Sequence, residues 1–347
     1  TGILRKSAGA GTAQITAMDI NFQGSIEVQS GTLQIAGTGS RALRGTATVA
    51  SGAVLDLGGG NFNDAGGTFG GVGLSQFSGG TLMLSTNILP GLKHMGGTIV
   101  LGPGFQQAGA ITNLTLDGSL LTGSDNRVGA GALTLNGGSL SGKLTVQAGG
   151  VLNFLTGAQK ILYSLTLINQ GTVNHAGGVL YHGSTPPTLI TNAGLWNIQG
   201  DFDFSLGAGG PMAQWVNTGT LRKSAGAGFA TINTMAMTNT ASGIIQCAVG
   251  TLRLPNDYAN SAGTLRLTGG RIEAAGTLGF TGGTLDGSGS FGGSTFLGGI
   301  ISPGTNGPGR ITFTSGLYLA SPVVVALDAS GTTPETGYDQ LVVTGAV

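Results

Sequence analysis

"SGTLQI" (residues 30–35), "GGTLML" (79–84), "GGTIVL" (96–101), "VGTLRL" (249–254) and "AGTLRL" (262–267) are versions of one unit. In each, Thr is followed by apolar-x-apolar, and Gly stands just before the Thr. Shorter relatives are "GALTL" (131–135), "GKLTV" (142–146) and "YSLTL" (163–167). The middle residue is polar or variable: Gln34, Met83, Thr134, Thr145, Thr166, Arg253, Arg266. Alternation with period two specifies a short strand with one face buried. The glycines around each unit turn the chain into corners. No sustained i, i+3, i+4, i+7 apolar stripe exists, and Gly interrupts nearly every ten-residue window, so no helix is expected.

Many short strands in a self-similar chain fit a sandwich, a propeller or a solenoid. The spacing decides among them. The "GTL" triplets at Gly250, Gly263 and Gly276 are 13 residues apart, and Leu114 and Leu133 are 19 apart. Steps near 20 fit one coil of a solenoid, and steps near 13 fit one side of a coil. A propeller needs a fixed period of about 40–50 residues. The expectation is therefore all-β: a single-stranded parallel β-helix, or β-solenoid, forming a rod of about 17 coils.

Composition agrees. Gly is 69 of 347 residues, Pro is only 10 and no Gly-X-Y period exists, so collagen is excluded. Apolar residues are 40%, too many for a disordered Gly-rich linker. Only 8% of residues are charged, with Lys+Arg and Asp+Glu both at 14. That balance argues against nucleic acid and against a polybasic membrane contact. The longest apolar runs, such as "VVVAL" (323–327), are far too short to span a bilayer. No signal peptide is seen, and the chain reads as part of something longer. One cysteine, Cys247, allows no internal disulfide and reads as a small buried hydrophobe.

A longer repeat overlies the short one. "GILRKSAGAG" (2–11) and "GTLRKSAGAG" (219–228) agree at nine of ten positions. The likeness runs on through residues 2–35 and 219–254, with one two-residue insertion near Asn239–Ser242. A several-coil block is thus laid down twice. It divides the chain into residues 1–217, opening on the first copy, and residues 218–347, which continue the same solenoid from the second. Lys6 and Lys223 fall where other units carry Leu, Ile or Val. Burying an ammonium is costly unless it is paired. The strand is therefore expected to bend at Arg5 and Arg222, with "SAGAG" as a tight corner.

Candidate functional residues are few. Arg5, Lys6, Arg222 and Lys223 are candidate contacts to an anionic glycan. Trp196 and Trp215, with Phe202 and Phe204, are candidates for a sugar-stacking groove, against the alternative of core packing. In "GDFDF", Asp201 and Asp203 are expected on one strand face, about 6.5–7 Å apart, for acid–base work or Ca²⁺. The alternative is a plain polar face. Asn169, Asn192 and Asn217, in "NQG", "NAG" and "NTG", are expected at corners, tolerating left-handed backbone and stacking as an amide ladder. Asp286 in "GGTLDGSGSFGG" (282–293) is out of frame for a Ca²⁺-binding nonapeptide. His94, His175 and His182 are dispersed, and no third metal ligand is apparent. No nucleophile elbow occurs. Thr-x-Thr segments such as "TATV" lack the file an ice-binding face needs. No catalytic residue, metal site or cofactor is expected.

The blocks "NTGTLRKSAGAG" and "NAGLWNIQGD" resemble modules of autotransporter passengers and of filamentous-haemagglutinin-like bacterial surface proteins. The tail "GGIISPGTNGPGRITFTSGLYL" (298–319) with "GYDQLVVTGAV" (337–347) is similar to autotransporter passenger repeats, about residues 286–347. The resemblance implies a right-handed β-helix, exported to the cell surface or beyond as part of a longer chain. The expected role is structural or adhesive and non-enzymatic, with a polysaccharide-binding or polysaccharide-cleaving β-helix as the alternative. Expected partners are neighbouring modules or identical subunits, end to end, and host or matrix glycans. No recognisable cap stands at Thr1 or Val347, which leaves strand edges open for such pairing.

Overall fold

The structure is a computed structural model that describes residues 2–16, 18–207, 209–274, 276–293 and 295–345. Thr1 and Val347, where caps were sought, lie outside them. The described residues hold no helix, and all pairings between strands are parallel. The chain is a β-solenoid of about 15 turns. Its contacts separate into two compact units, Thr1–Leu155 and Thr156–Val347.

Register explains the sequence unit position by position. In the second unit Thr172, Leu195, Thr220, Ile244, Thr264, Thr284, Ile300 and Val324 stand in one file, one residue per coil. The next file runs Val173, Trp196, Leu221, Ile245, Leu265, Leu285, Ile301, and every member is buried. The third file, Asn174, Asn197, Arg222, Gln246, Arg266, Asp286, is the variable x position of the unit. The first unit does the same, with Leu33, Leu55, Ser75 and Leu92 inside, continuing the file of the exposed Ala13, and Gln14, Gln34, Asp56, Gln76, Lys93 at x. Like residues stack because a parallel in-register ladder sets each side chain about 4.8 Å above its counterpart.

Coil length is looser than the sequence suggested. One turn takes 16 residues from Thr284 to Ile300 and 25 from Leu195 to Thr220. Corners absorb the difference, and coils longer than 20 residues bring the total below 17. The 13-residue step is a move between faces: Thr251 pairs with Arg271, whereas Thr264 pairs with Ile244. The third triplet, Gly276-Thr277-Leu278, is not a strand, although Leu278 is buried.

The duplicated block builds the same pair of coils twice. Ile3–Lys6 pairs with Ser25–Val28, and Thr220–Lys223 with Ile244–Cys247. Thr12–Thr16 pairs with Thr32–Ala36, and Phe229–Thr231 with Thr251–Leu254. Glycine precedes the Thr for a steric reason at Gly31 and Gly250, both at φ +63°. An added Cβ there would strike the Gly11 and Gly226 carbonyls of the coil beneath.

Candidate functional site

The two lysines are where the structure departs most from expectation. The strand Thr220–Lys223 does not bend at Arg222. It keeps alternating, and Lys223 follows Leu221 inward to full burial. The ammonium survives there because the corner solvates it. Lys223 Nζ donates to the carbonyls of Ala225 (2.7 Å), Gly226 (2.9 Å) and Gly200 (3.2 Å), and to Asp201 Oδ1 (2.8 Å). Desolvation is offset by charge-assisted bonds that an aliphatic residue would leave unmade. "SAGAG" is therefore a corner, as expected, but it wraps around the lysine head. Lys6 repeats the local half of the arrangement, donating to Ala8 O at 2.9 Å and Gly9 O at 2.7 Å. It remains partly exposed.

The same device recurs along this file, which runs His175, Ile198, Lys223, Cys247, Leu267. His175 Nε2 donates to Gly178 O at 2.7 Å. Burial, with Lys160 nearby, outweighs that bond and pushes its pKa down to about 4. Cys247 Sγ points at Val249 O (3.5 Å) and Gly250 O (3.6 Å). It is buried as expected, burial raises its thiol pKa, and it also serves a corner. Elsewhere, buried Lys160 donates to Thr156 O (2.7 Å) and Gly177 O (2.9 Å). Buried Arg41 donates to Ala36 O (2.8 Å) and Gly59 O (2.6 Å).

A second polar file runs through the interior. Asn169 Nδ2 donates to Asn192 Oδ1 at 2.6 Å, Asn192 to Asn217 at 2.8 Å, Asn217 to Asn239 at 2.9 Å and Asn239 to Asn260 at 3.4 Å. The first four amides also donate to the carbonyls of Leu195, Thr220, Ile244 and Thr264. All five asparagines are buried. The expected amide ladder is present and two rungs longer than "NxG" indicated. These asparagines end strands, as in Leu189–Asn192 and Ala213–Asn217, rather than adopting left-handed backbone.

The remaining candidates are structural in placement. Trp196 and Trp215 are fully buried, with ring centroids 4.6 Å apart and Phe204 at 5.4 and 5.1 Å. They are core, and no glycan in solvent can stack on them. Lys223 is likewise sealed from any outside anion. Arg5 is exposed but bonded to Glu27 Oε2 at 2.7 Å, and Arg222 is half-buried in the outward file. Arg5 and Lys6 belong to one unit, Arg222 and Lys223 to the other.

Asp201 and Asp203 do not share a strand face, because the strand begins at Phe204. Asp201 receives Lys223 Nζ and, on its other oxygen, Gly228 N–H at 3.0 Å. The Lys223 bond, against some desolvation, holds its carboxyl below the usual range. Asp203 Oδ1 accepts Thr231 N–H at 2.7 Å. Asp286 pairs with Arg266 at 2.7 Å, and Glu273 with Arg253 and Arg271. His94 and His182 are buried against the carbonyls of Thr115 and Asn233. No group of three or more His, Cys, Asp or Glu that would hold a metal ion occurs among the described residues. Among the described residues no helix is long and apolar enough to cross a membrane.

No family model, no curated protein and no solved structure matches this chain. The resemblance to autotransporter and haemagglutinin-like modules therefore rests on the β-solenoid architecture and the quoted motifs.

Proposed function

We propose that this chain is a structural or adhesive β-solenoid module of a large bacterial surface or filament-forming protein, displayed outside the cell and non-enzymatic. The observation that carries the reading is what the interior polar groups do. Lys223, Lys160, Arg41 and the asparagine file all bond neighbouring corners and coils, and Asp201 and Asp203 are spent on the backbone of the following coil. The chemistry of the chain is invested in holding itself together. A surface with few charges suits a module that stacks against like neighbours, end to end. The burial of Trp196, Trp215 and Lys223 counts against a sugar-stacking groove there, which leaves Arg5, Lys6 and Arg222 as the accessible candidates for a glycan contact.

Single-molecule pulling between terminal handles tests the mechanical role. The expected record is a series of unfolding events with length increments of whole coils, at forces well above those of a chain that unravels smoothly. Featureless extension at low force would contradict it, as would turnover of a surface polysaccharide by the purified chain.

A further inference from the structure

The strand Met235–Asn239 pairs with Ala213–Asn217 on one edge. No strand among the described residues pairs with its other edge. Its last residue, Asn239, is covered by Asn260 through the amide file, but the coil above departs from Met235 through Thr238. Residues 255–258 swing away instead. Pro255 opens the detour and has no N–H to offer. Asp257 adopts φ +53°, and its Oδ1 accepts the Thr277 N–H at 3.1 Å, tying the turn to the coil above rather than the strand below. Tyr258 N–H closes the turn on Pro255 O at 3.3 Å. What remains is a cleft of about 690 Å³ between a bare strand edge and a fixed turn. Met212, Met235, Met237 and Tyr258 line it, and Met212 is 52% exposed.

We infer that this cleft is a strand-addition site that takes an extended peptide from a partner chain. Unpaired N–H and C=O groups along a strand edge have one natural complement, another strand. The free stretch is four residues, about 13 Å of extended chain. Alternate side chains of the added strand would enter the cleft, and methionines adapt to varied apolar shapes. The ligand class is thus a short extended segment with apolar residues at alternate positions. The inference rests on the edge and the cleft and stands whether or not the chain is exported.

The probe is a fluorescein-labelled peptide of sequence AGTLRLT, copied from residues 262–268, titrated with the full chain and followed by anisotropy. Saturable binding is expected. It should weaken at least tenfold in Met212→Lys and in Met237→Lys, each checked for native circular dichroism, and be lost when alternate peptide amides are N-methylated. Met83→Lys, in the other unit, should bind normally. Absence of saturable binding overturns the inference, as does binding that survives N-methylation or both Met→Lys changes. A dimer that forms with rising concentration and is lost in Met212→Lys would assign the edge to a second copy and overturn the partner peptide.

Discussion

Lys6 and Lys223 sit at the same place in the same motif; Lys223 is fully sealed between coils and bonded to Asp201 of the coil before it, while Lys6, in the first coil, is partly exposed and bonds its own corner. Substitution should separate them. Lys223→Met strands three carbonyls and Asp201, and should cost about 3–5 kcal/mol in urea unfolding. Lys6→Met, at a partly exposed site, should cost about 1 kcal/mol or less. Equal losses would mean that the corner bonds carry little. His175 sets a pH dependence. Its folded pKa, lowered by burial to about 4, lies below the ordinary histidine value of 6.5. The unfolded chain therefore binds the extra proton first. The contribution to stability is intact above about pH 6.5 and is lost as pH falls toward 4, about 2 kcal/mol at pH 5. Urea midpoints at pH 7 and pH 5 should differ for the native chain and differ less in His175→Gln, the remainder coming from His94 and His182, whose pKa values burial also lowers.

At the scale of elements, the strands were legible wherever "GTL-x-apolar" kept its alternation, because period two and a glycine corner are local signals. The asparagine file was half legible. Asn169, Asn192 and Asn217 announce themselves by the Gly two residues on, whereas Asn239 and Asn260 are followed by "TASG" and "SAG". Their membership is a matter of register across coils, and one sequence read along its length does not display register. Asn217 is the central rung, giving and receiving side-chain bonds. Asn217→Ala should cost about 2–4 kcal/mol, since it leaves Asn192 and Asn239 without their partner. Asn192→Asp should invert the acid behaviour. A buried carboxyl has a raised pKa, so this variant should be most stable at low pH and lose stability as pH rises above about 4. A denaturant series from pH 3 to pH 7 measures it.

For the molecule as a whole, composition and pattern were enough to fix the class of fold and to show which residues of each unit turn inward. The polar interior was not legible. With 8% charged residues, each Lys or Arg looked like surface, and an inward ammonium looked too costly. The missing term was the corner itself, whose carbonyls converge only once the coil has closed. The same closure turned the tryptophans from candidate ligands into core. The claim on which everything else rests is the in-register parallel stack that puts Arg222 beneath Gln246. Paired cysteines test it in a Cys247→Val background. Adjacent outward positions in register lie at a separation that a disulfide spans. Arg222→Cys with Gln246→Cys should cross-link within one chain under mild oxidation, and Arg222→Cys with Ile245→Cys, whose side chain faces the core, should not. Cross-linking of the second pair and not the first would contradict the register, and with it the placement of Lys223 inside the coil.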